Sequence, residues 1–321
     1  MINGIINIYK EAGYTSHDVV AKMRGILGQK KIGHTGTLDP QAVGVLPVCL
    51  GKATKVCELL TDKDKAYRCV MLLGTVTDTQ DTCGTVLSRR EVSCTEAEVQ
   101  AAILGFVGDY DQIPPMYSAL KVNGRKLCDL ARAGKEVERE PRRVQIYDIV
   151  IEHVELPRIT MTVECSKGTY IRALCHDIGQ RLGCGACMEQ LTRIRAAGFR
   201  LEDSVTLGRL EKAVRDGCTE ELILPVDRLF AELPAFSVKA GFQKAVENGN
   251  RIPAEVVVPM QEREQGGESG HTGSGQGFGA AEAKADLRVR LYDAADRFVG
   301  IYSYQEKEHD FKPVKIFLEK D

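Results

Sequence analysis

The sequence predicts an α+β protein with a mixed, largely antiparallel central sheet flanked by helices, followed by a small β-rich C-terminal domain. Two observations carry this. Strand-like and helical segments alternate without the regular strand–helix–strand rhythm of a parallel sheet. Around residues 225–234 the pattern changes, which divides the chain into domains at 1–230 and 231–321.

The elements follow in order. Residues 4–9 read as a short strand, and Ser16 caps a helix over 17–27 with Val19, Val20, Met23, Ile26 and Leu27 on one side. YRCVMLLG, at 67–74, is a strongly apolar strand, and Thr95 with Glu98 makes a capping box that opens a helix to about residue 104. Alternation marks strands over 144–154 and 159–165. A helix runs from 170 to 182, with Gly183 just past its end, where a left-handed cap belongs. The C-terminal part reads as an extended segment at 236–238, a helix near 241–248, and strands near 287–292, 298–304 and 314–318. Residues 262–285, including GGESGHTGSGQGFG, are too rich in Gly and Ser to bury a core and are expected to form a flexible loop.

At 321 residues and 43% hydrophobic the chain can build a substantial core. Its apolar runs are far short of the roughly 20 residues that span a bilayer, and it opens without a basic segment leading into a hydrophobic one. Eleven scattered cysteines suit a reducing compartment better than a disulfide framework. Together these point to a cytoplasmic protein with no membrane partner. A net charge of −2 makes any affinity for a polyanion local. Candidate basic patches are Lys30–Lys31, Lys121 with Arg125 and Lys126, Arg139 with Arg142 and Arg143, and Arg193 with Arg195.

GHTGTLDPQAVGVLP, at 33–47, holds His34, Asp39 and glycines at 33, 36 and 44 in a stretch with no helix or strand period. The glycines admit positive φ and close backbone approach, and Pro40 biases Asp39 towards an extended conformation. An ordinary loop Asp would cap a helix, but Pro40, Gly44 and Pro47 leave no helix to cap.

Residues 31–55, KIGHTGTLDPQAVGVLPVCLGKATK, resemble the signature of the bacterial TruB family of tRNA pseudouridine synthases, which act on the T-arm uridine. The resemblance extends over about residues 2–230. It implies a pseudouridine synthase fold, a PUA-like C-terminal domain, the tRNA T-arm stem-loop as partner, and a monomer. Because the reaction is neither a redox change nor a phosphoryl transfer, it implies no cofactor and no metal.

The resemblance makes Asp39 the catalytic carboxylate and, through SKGTYIR at 166–172, Arg172 its cationic partner, with Tyr170 beside it. Tyr67, in DKAYRC, would stack on the target base and serve the proton removal from C5. Leu191, in EQLTRIR, would line the uracil pocket, and His34, flanked by Gly33 and Thr35, would fill the space left by the flipped base. Lys10, in YKEAGYTS where the family often has DKPxGxTS, would contact substrate or RNA together with Gly33, Thr35 and Tyr170, and IPPMYSALKVNGRKL at 113–127 would contact RNA and pack beside the site. Asp81, in TDTQD, would orient site groups; read with Asp78 as a metal pair, it lacks further ligands.

Two other readings compete. One is an RNA chaperone that uses the same groove without chemistry, and the other is a zinc or redox protein built on Cys175, His176, Cys184 and Cys187. No second CxxC or paired histidine completes a tetrahedral set for the latter.

Overall fold

The computed structural model describes residues 1–260 and 287–318, so the Gly/Ser-rich stretch at 262–285 lies outside the described residues. Contacts divide the chain into two compact units. One comprises Ile6–Val48 and Val56–Leu222; the other comprises Met1–Ile5, Cys49–Lys55 and Ile223–Asp321.

In chain order, β1 spans Gly4–Lys10, α1 Ser16–Leu27, β2 Ile32–His34, β3 Val43–Leu50, α2 Cys57–Thr61 and β4 Lys65–Leu73. A hairpin of β5 (Thr75–Thr77) and β6 (Val86–Arg89) precedes α3 (Glu96–Leu104) and β7 (Gly108–Gln112). A second, of β8 (Lys121–Val122) and β9 (Arg125–Lys126), leads into α4 (Leu127–Arg132). Then come β10 (Arg142–Glu155), β11 (Arg158–Cys165), α5 (Ile171–Arg181), β12 (Ala186–Ala196), β13 (Phe199–Arg200) and α6 (Leu207–Asp216).

The main sheet has the order β1-β3-β12-β4-β11-β10-β7, with β2 added to β3 and β13 to β12. From β12 to β7 every pairing is antiparallel, whereas β3 lies parallel to β12. Strict alternation along β11 sends Ile159, Met161, Val163 and Cys165 into the core, opposite Met71, Cys69, Tyr67 and Lys65 of β4. Val99 and Ile103 of α3, together with Ile171, Leu174, Cys175 and Ile178 of α5, complete that core. The expected capping box at Thr95 and Glu98 is present, and Gly183 has φ 76° just past α5.

Two expectations need correction. Thr15, not Ser16, caps α1, in a capping box with Asp18. Ser16 is buried, and its hydroxyl accepts instead from the Leu38 N–H at 2.9 Å, so the neighbouring threonine takes the capping role. Residues 43–50, expected to lack strand periodicity, form β3. Burial on both faces erases the alternation that would have revealed it. Pro47 is accommodated there, offering its carbonyl to the Thr35 N–H at 3.1 Å.

In the second unit, β14 (Ala235–Val238), α7 (Gln243–Glu247), β15 (Ile252–Pro253), β16 (Val257–Pro259), β17 (Arg288–Tyr292), β18 (Phe298–Gln305) and β19 (Asp310–Ile316) follow. The strands form a sheet of order β15-β19-β18-β17-β14-β16. Its core gathers Phe236, Val246, Ile252, Leu291, Val299, Tyr302 and Phe311. The last strand starts at 310 rather than 314, because an extra residue in β19, Val314, shifts the register opposite Ile301 and Tyr302 and lets Pro313 sit inside the strand.

One contact fixes how closely α5 lies on the sheet. A methyl group at Gly179 would sit 2.1 Å from the Ala186 backbone nitrogen, which cannot retreat as a flexible side chain would. Gly179→Ala should therefore destabilise the protein by ~1–3 kcal/mol in urea unfolding; an unchanged midpoint would contradict this packing.

Candidate active site

Asp39 is held out by its neighbours. Leu38 and Ala42 are 3% and 2% exposed and belong to the main core, whereas the Asp39 side chain between them is 37% exposed. The loop is pinned at the main chain as well. The Pro40 carbonyl accepts from Lys10 Nζ at 2.9 Å and from the Gly13 N–H at 2.9 Å, while the Ala42 N–H donates to the Asp39 carbonyl at 3.1 Å. Lys10, expected at the RNA surface, is wholly buried under this loop and also donates to the Glu11 carbonyl. A lysine that must hold a carbonyl inside cannot also face solvent.

Arg172, in the first turn of α5, reaches this carboxylate from 133 positions along the chain. Its Nε lies 2.9 Å from Asp39 Oδ2 and its Nη2 donates to Asp39 Oδ1 at 3.1 Å, a two-pronged pair. The same guanidinium donates through Nη1 to the Thr79 carbonyl at 3.0 Å and through Nη2 to the Tyr117 carbonyl at 2.8 Å. Asp81 Oδ2 stands 3.8 Å from its Nε. Asp81 is fixed in turn by the Thr79 hydroxyl at 2.7 Å and the Cys83 N–H at 3.0 Å. With its side chain only 5% exposed, Arg172 has little freedom to turn away.

On the adjoining sheet, Tyr67 of β4 faces Arg193 of β12 in register, and Leu191 pairs with Cys69 one step along the same face. Tyr67 and Leu191 are buried in the same cluster as Leu38 and Ala42. At 7% exposure, Tyr67 has its phenol pushed up by burial, so it is neutral at ordinary pH. His34 is half-buried, its Nδ1 accepting from the Gly36 N–H at 3.3 Å. Burial, and then the Arg193 charge, pushes it below its usual 6.5 and keeps it uncharged. Thr35 is buried and bonded to the Pro47 carbonyl. Gly33 lies in β2 without positive φ, unlike Gly36 at 126° and Gly44 at 105°. Tyr170 stands just before α5, its N–H donating to Gln112 Oε1 and its carbonyl accepting from Gln112 Nε2.

Comparison with known proteins decides the family. The TruB family pseudouridylate synthase N-terminal domain matches residues 24–171, and the tRNA pseudouridylate synthase B C-terminal domain matches 172–231. A tRNA pseudouridine synthase B of Lachnoclostridium phytofermentans is 49% identical over 325 residues, covering 99% of this chain and 100% of that one. One of Bacillus velezensis is 39% identical over 330 residues, covering 100% and 99%. The chain belongs to the TruB family of pseudouridylate synthases.

Among solved structures, a chain of an H/ACA RNP bound to a substrate RNA containing 2'-deoxyuridine superposes with TM-score 0.66 at 26% identity, covering 99% of this chain and 86% of that one. A chain from a Cbf5-Nop10-Gar1 complex gives 0.66 at 27% identity, covering 98% and 85%. The architecture is that of the TruB-type pseudouridine synthase, an isomerase fold, with a PUA-like β-rich C-terminal part.

Other expected features of this TruB-family chain sort unevenly. Lys30, Lys31, Lys121, Arg125, Lys126 and Arg142 are exposed, whereas Arg143 is taken up by Asp109 and Asp111. Arg193, read as part of a basic surface patch, is instead 1% exposed beneath the Asp39 loop. Its place in a strand, two positions after the buried Leu191, was the signal that it points inward. Cys175, Cys184 and Cys187 are buried free thiols, the first in the same core cluster as Cys69. Among the described residues no group of three or more His, Cys, Asp or Glu is placed to hold a metal ion. Nor is any described helix long and apolar enough to cross a membrane.

Lys10 supplies a pH test of the site's packing. Burial, opposed in part by Asp39, pushes its ammonium down to about 8 from an ordinary 10.5. Between those values the unfolded chain binds more protons than the folded one, so Lys10's contribution to stability is complete above 10.5 and is lost as pH falls through about 8. Wild type should gain stability relative to Lys10→Met as pH rises across this window. A pH-independent difference between their urea midpoints would contradict the burial.

Proposed function

We propose that this chain isomerises the T-loop uridine U55 of tRNA to pseudouridine, acting in the cytoplasm as a monomer without cofactor or metal. The reaction breaks N1–C1', turns the uracil and joins C5 to C1'. The C5 proton leaves and N1 is protonated, so composition and oxidation state are unchanged.

One observation carries the reading: a carboxylate open to solvent, aimed by a buried two-pronged guanidinium, stands at the edge of an apolar sheet face bearing Tyr67 and Leu191. A binding protein gains nothing from presenting a bare acid to a polyanion. For a glycosidic rearrangement, that acid is the reagent. Arg172 leaves the Asp39 carboxylate few orientations, so little ordering remains for the moment of reaction. Its charge also offsets repulsion between Asp39 and incoming phosphates.

In this assignment Tyr67 stacks on the extracted base and Leu191 lines its pocket. Because burial keeps the Tyr67 hydroxyl protonated, it enters the cycle as a stacking surface and gains a basic role only after giving up its proton. His34, kept neutral, can enter the emptied place in the RNA stack without bringing a charge there. Gly33 and Thr35 fix the backbone around it, Tyr170 borders the Arg172 turn, Lys10 and Asp81 position the two halves of the ion pair, and the exposed basic residues at 121–126 draw the RNA backbone.

Asp39→Asn tests the assignment, because the amide keeps the size and a hydrogen bond to Arg172 but loses the anionic oxygen. Tritium release from C5-labelled uridine in tRNA should fall by ~10³-fold or more, while tRNA binding changes little. Turnover at the wild-type rate would refute the reading.

A further inference from the structure

Arg193 has no part in the assignment above. Its guanidinium is almost fully enclosed, and among the described residues no carboxylate lies within ion-pair distance of it. An enclosed cation without a counter-ion is costly, so its donors must all be met by the surrounding dipoles. The acceptors are notable for where they lie. Nε donates to the Val45 carbonyl at 2.7 Å, Nη2 to the Gly36 carbonyl at 3.3 Å, and Nη1 approaches the Thr37 carbonyl at 3.5 Å. Gly36 and Thr37 precede Asp39 and Val45 follows it, so one side chain spans both arms of the loop. Tyr67 stands directly across from Arg193 in the pairing of β4 with β12.

The backbone gives a second, independent sign that the approach is specific. Gly44 has φ 105°, and a methyl group there would sit 2.3 Å from the Arg193 carbonyl oxygen and 3.0 Å from its nitrogen. The outgoing arm of the Asp39 loop therefore lies directly on the Arg193 backbone, in the parallel pairing of β3 with β12.

We propose that Arg193 is a positioning residue that clamps the two arms of the Asp39 loop to each other and to the strand beside Tyr67, setting the distance between the catalytic carboxylate and the stacking ring. The inference rests on the isomerase reading of Asp39 and Tyr67. A planar fork with several donors suits three carbonyls spread around it, and a single ammonium nitrogen cannot reach them all. The clamp therefore depends on the shape of the group as well as its charge.

Arg193→Lys and Arg193→Gln, with Asp39→Asn as reference, test it by single-turnover tritium release, tRNA dissociation constant, far-UV circular dichroism, and the spectrum of ¹³C-labelled tyrosine with the Tyr67 signal assigned through Tyr67→Phe. The expected result is a folded protein whose tRNA affinity stays within about threefold, whose single-turnover rate falls by ~10–100-fold, and whose Tyr67 signal moves, with Lys the milder of the two. A folded variant of either kind with the wild-type rate would overturn the proposal while Asp39→Asn remained inactive. Loss of folding in both would also overturn it, because the clamp would then serve the fold alone. Wild-type turnover by Asp39→Asn would instead defeat the underlying assignment.

Discussion

A guanidinium with 5% of its side chain exposed needs acceptors around all three of its nitrogens, and Arg172 finds them in the two oxygens of Asp39 and the carbonyls of Thr79 and Tyr117, with Asp81 close by. Removing any one partner would leave a buried polar group unsatisfied, so the four contacts hold one another in place. The segments that supply them come from distant parts of the chain: the loop after β2, the turn after β5, the stretch around 117 and the start of α5. The ion pair is thus both the mount of the proposed reagent and the point where those segments are tied together.

The rest of the site serves that mount. Leu38 and Ala42 anchor the Asp39 loop in the core from either side, the Ser16 hydroxyl takes the Leu38 N–H, and Lys10 with Gly13 secures the Pro40 carbonyl. Each anchor removes freedom from the loop, and in the proposed reaction its value lies in being already in place. Close backbone approaches at Gly44 and Gly179 set the spacing of the sheet against its loop and its helix.

Much of the fold could be read because local signals agreed with the tertiary ones. The alternation of β10 and β11, the capping box at Thr95 and the left-handed glycine after α5 are short-range patterns that survive in the folded chain. β3 is hidden because enclosure on both faces removes alternation, and Ser16 reads as a cap because only the folded chain brings Leu38 to it. Asp39 and Arg172 were legible as motifs. Their partners Thr79 and Tyr117 were not, since both contribute backbone carbonyls, which every residue possesses. Arg193 and Lys10 misled for a related reason: a basic side chain in sequence suggests surface, and only the fold reveals the carbonyls that draw it inward.

In the proposed reaction the Asp39–Arg172 pair acts through its geometry rather than through positive charge near the acid. Arg172→Lys keeps the charge and loses the planar fork, so single-turnover conversion of uridine in tRNA measures the geometry alone. A fall of ~10²-fold or more is expected, with tRNA affinity nearly unchanged. A lysine variant that converts tRNA at the wild-type rate would contradict it.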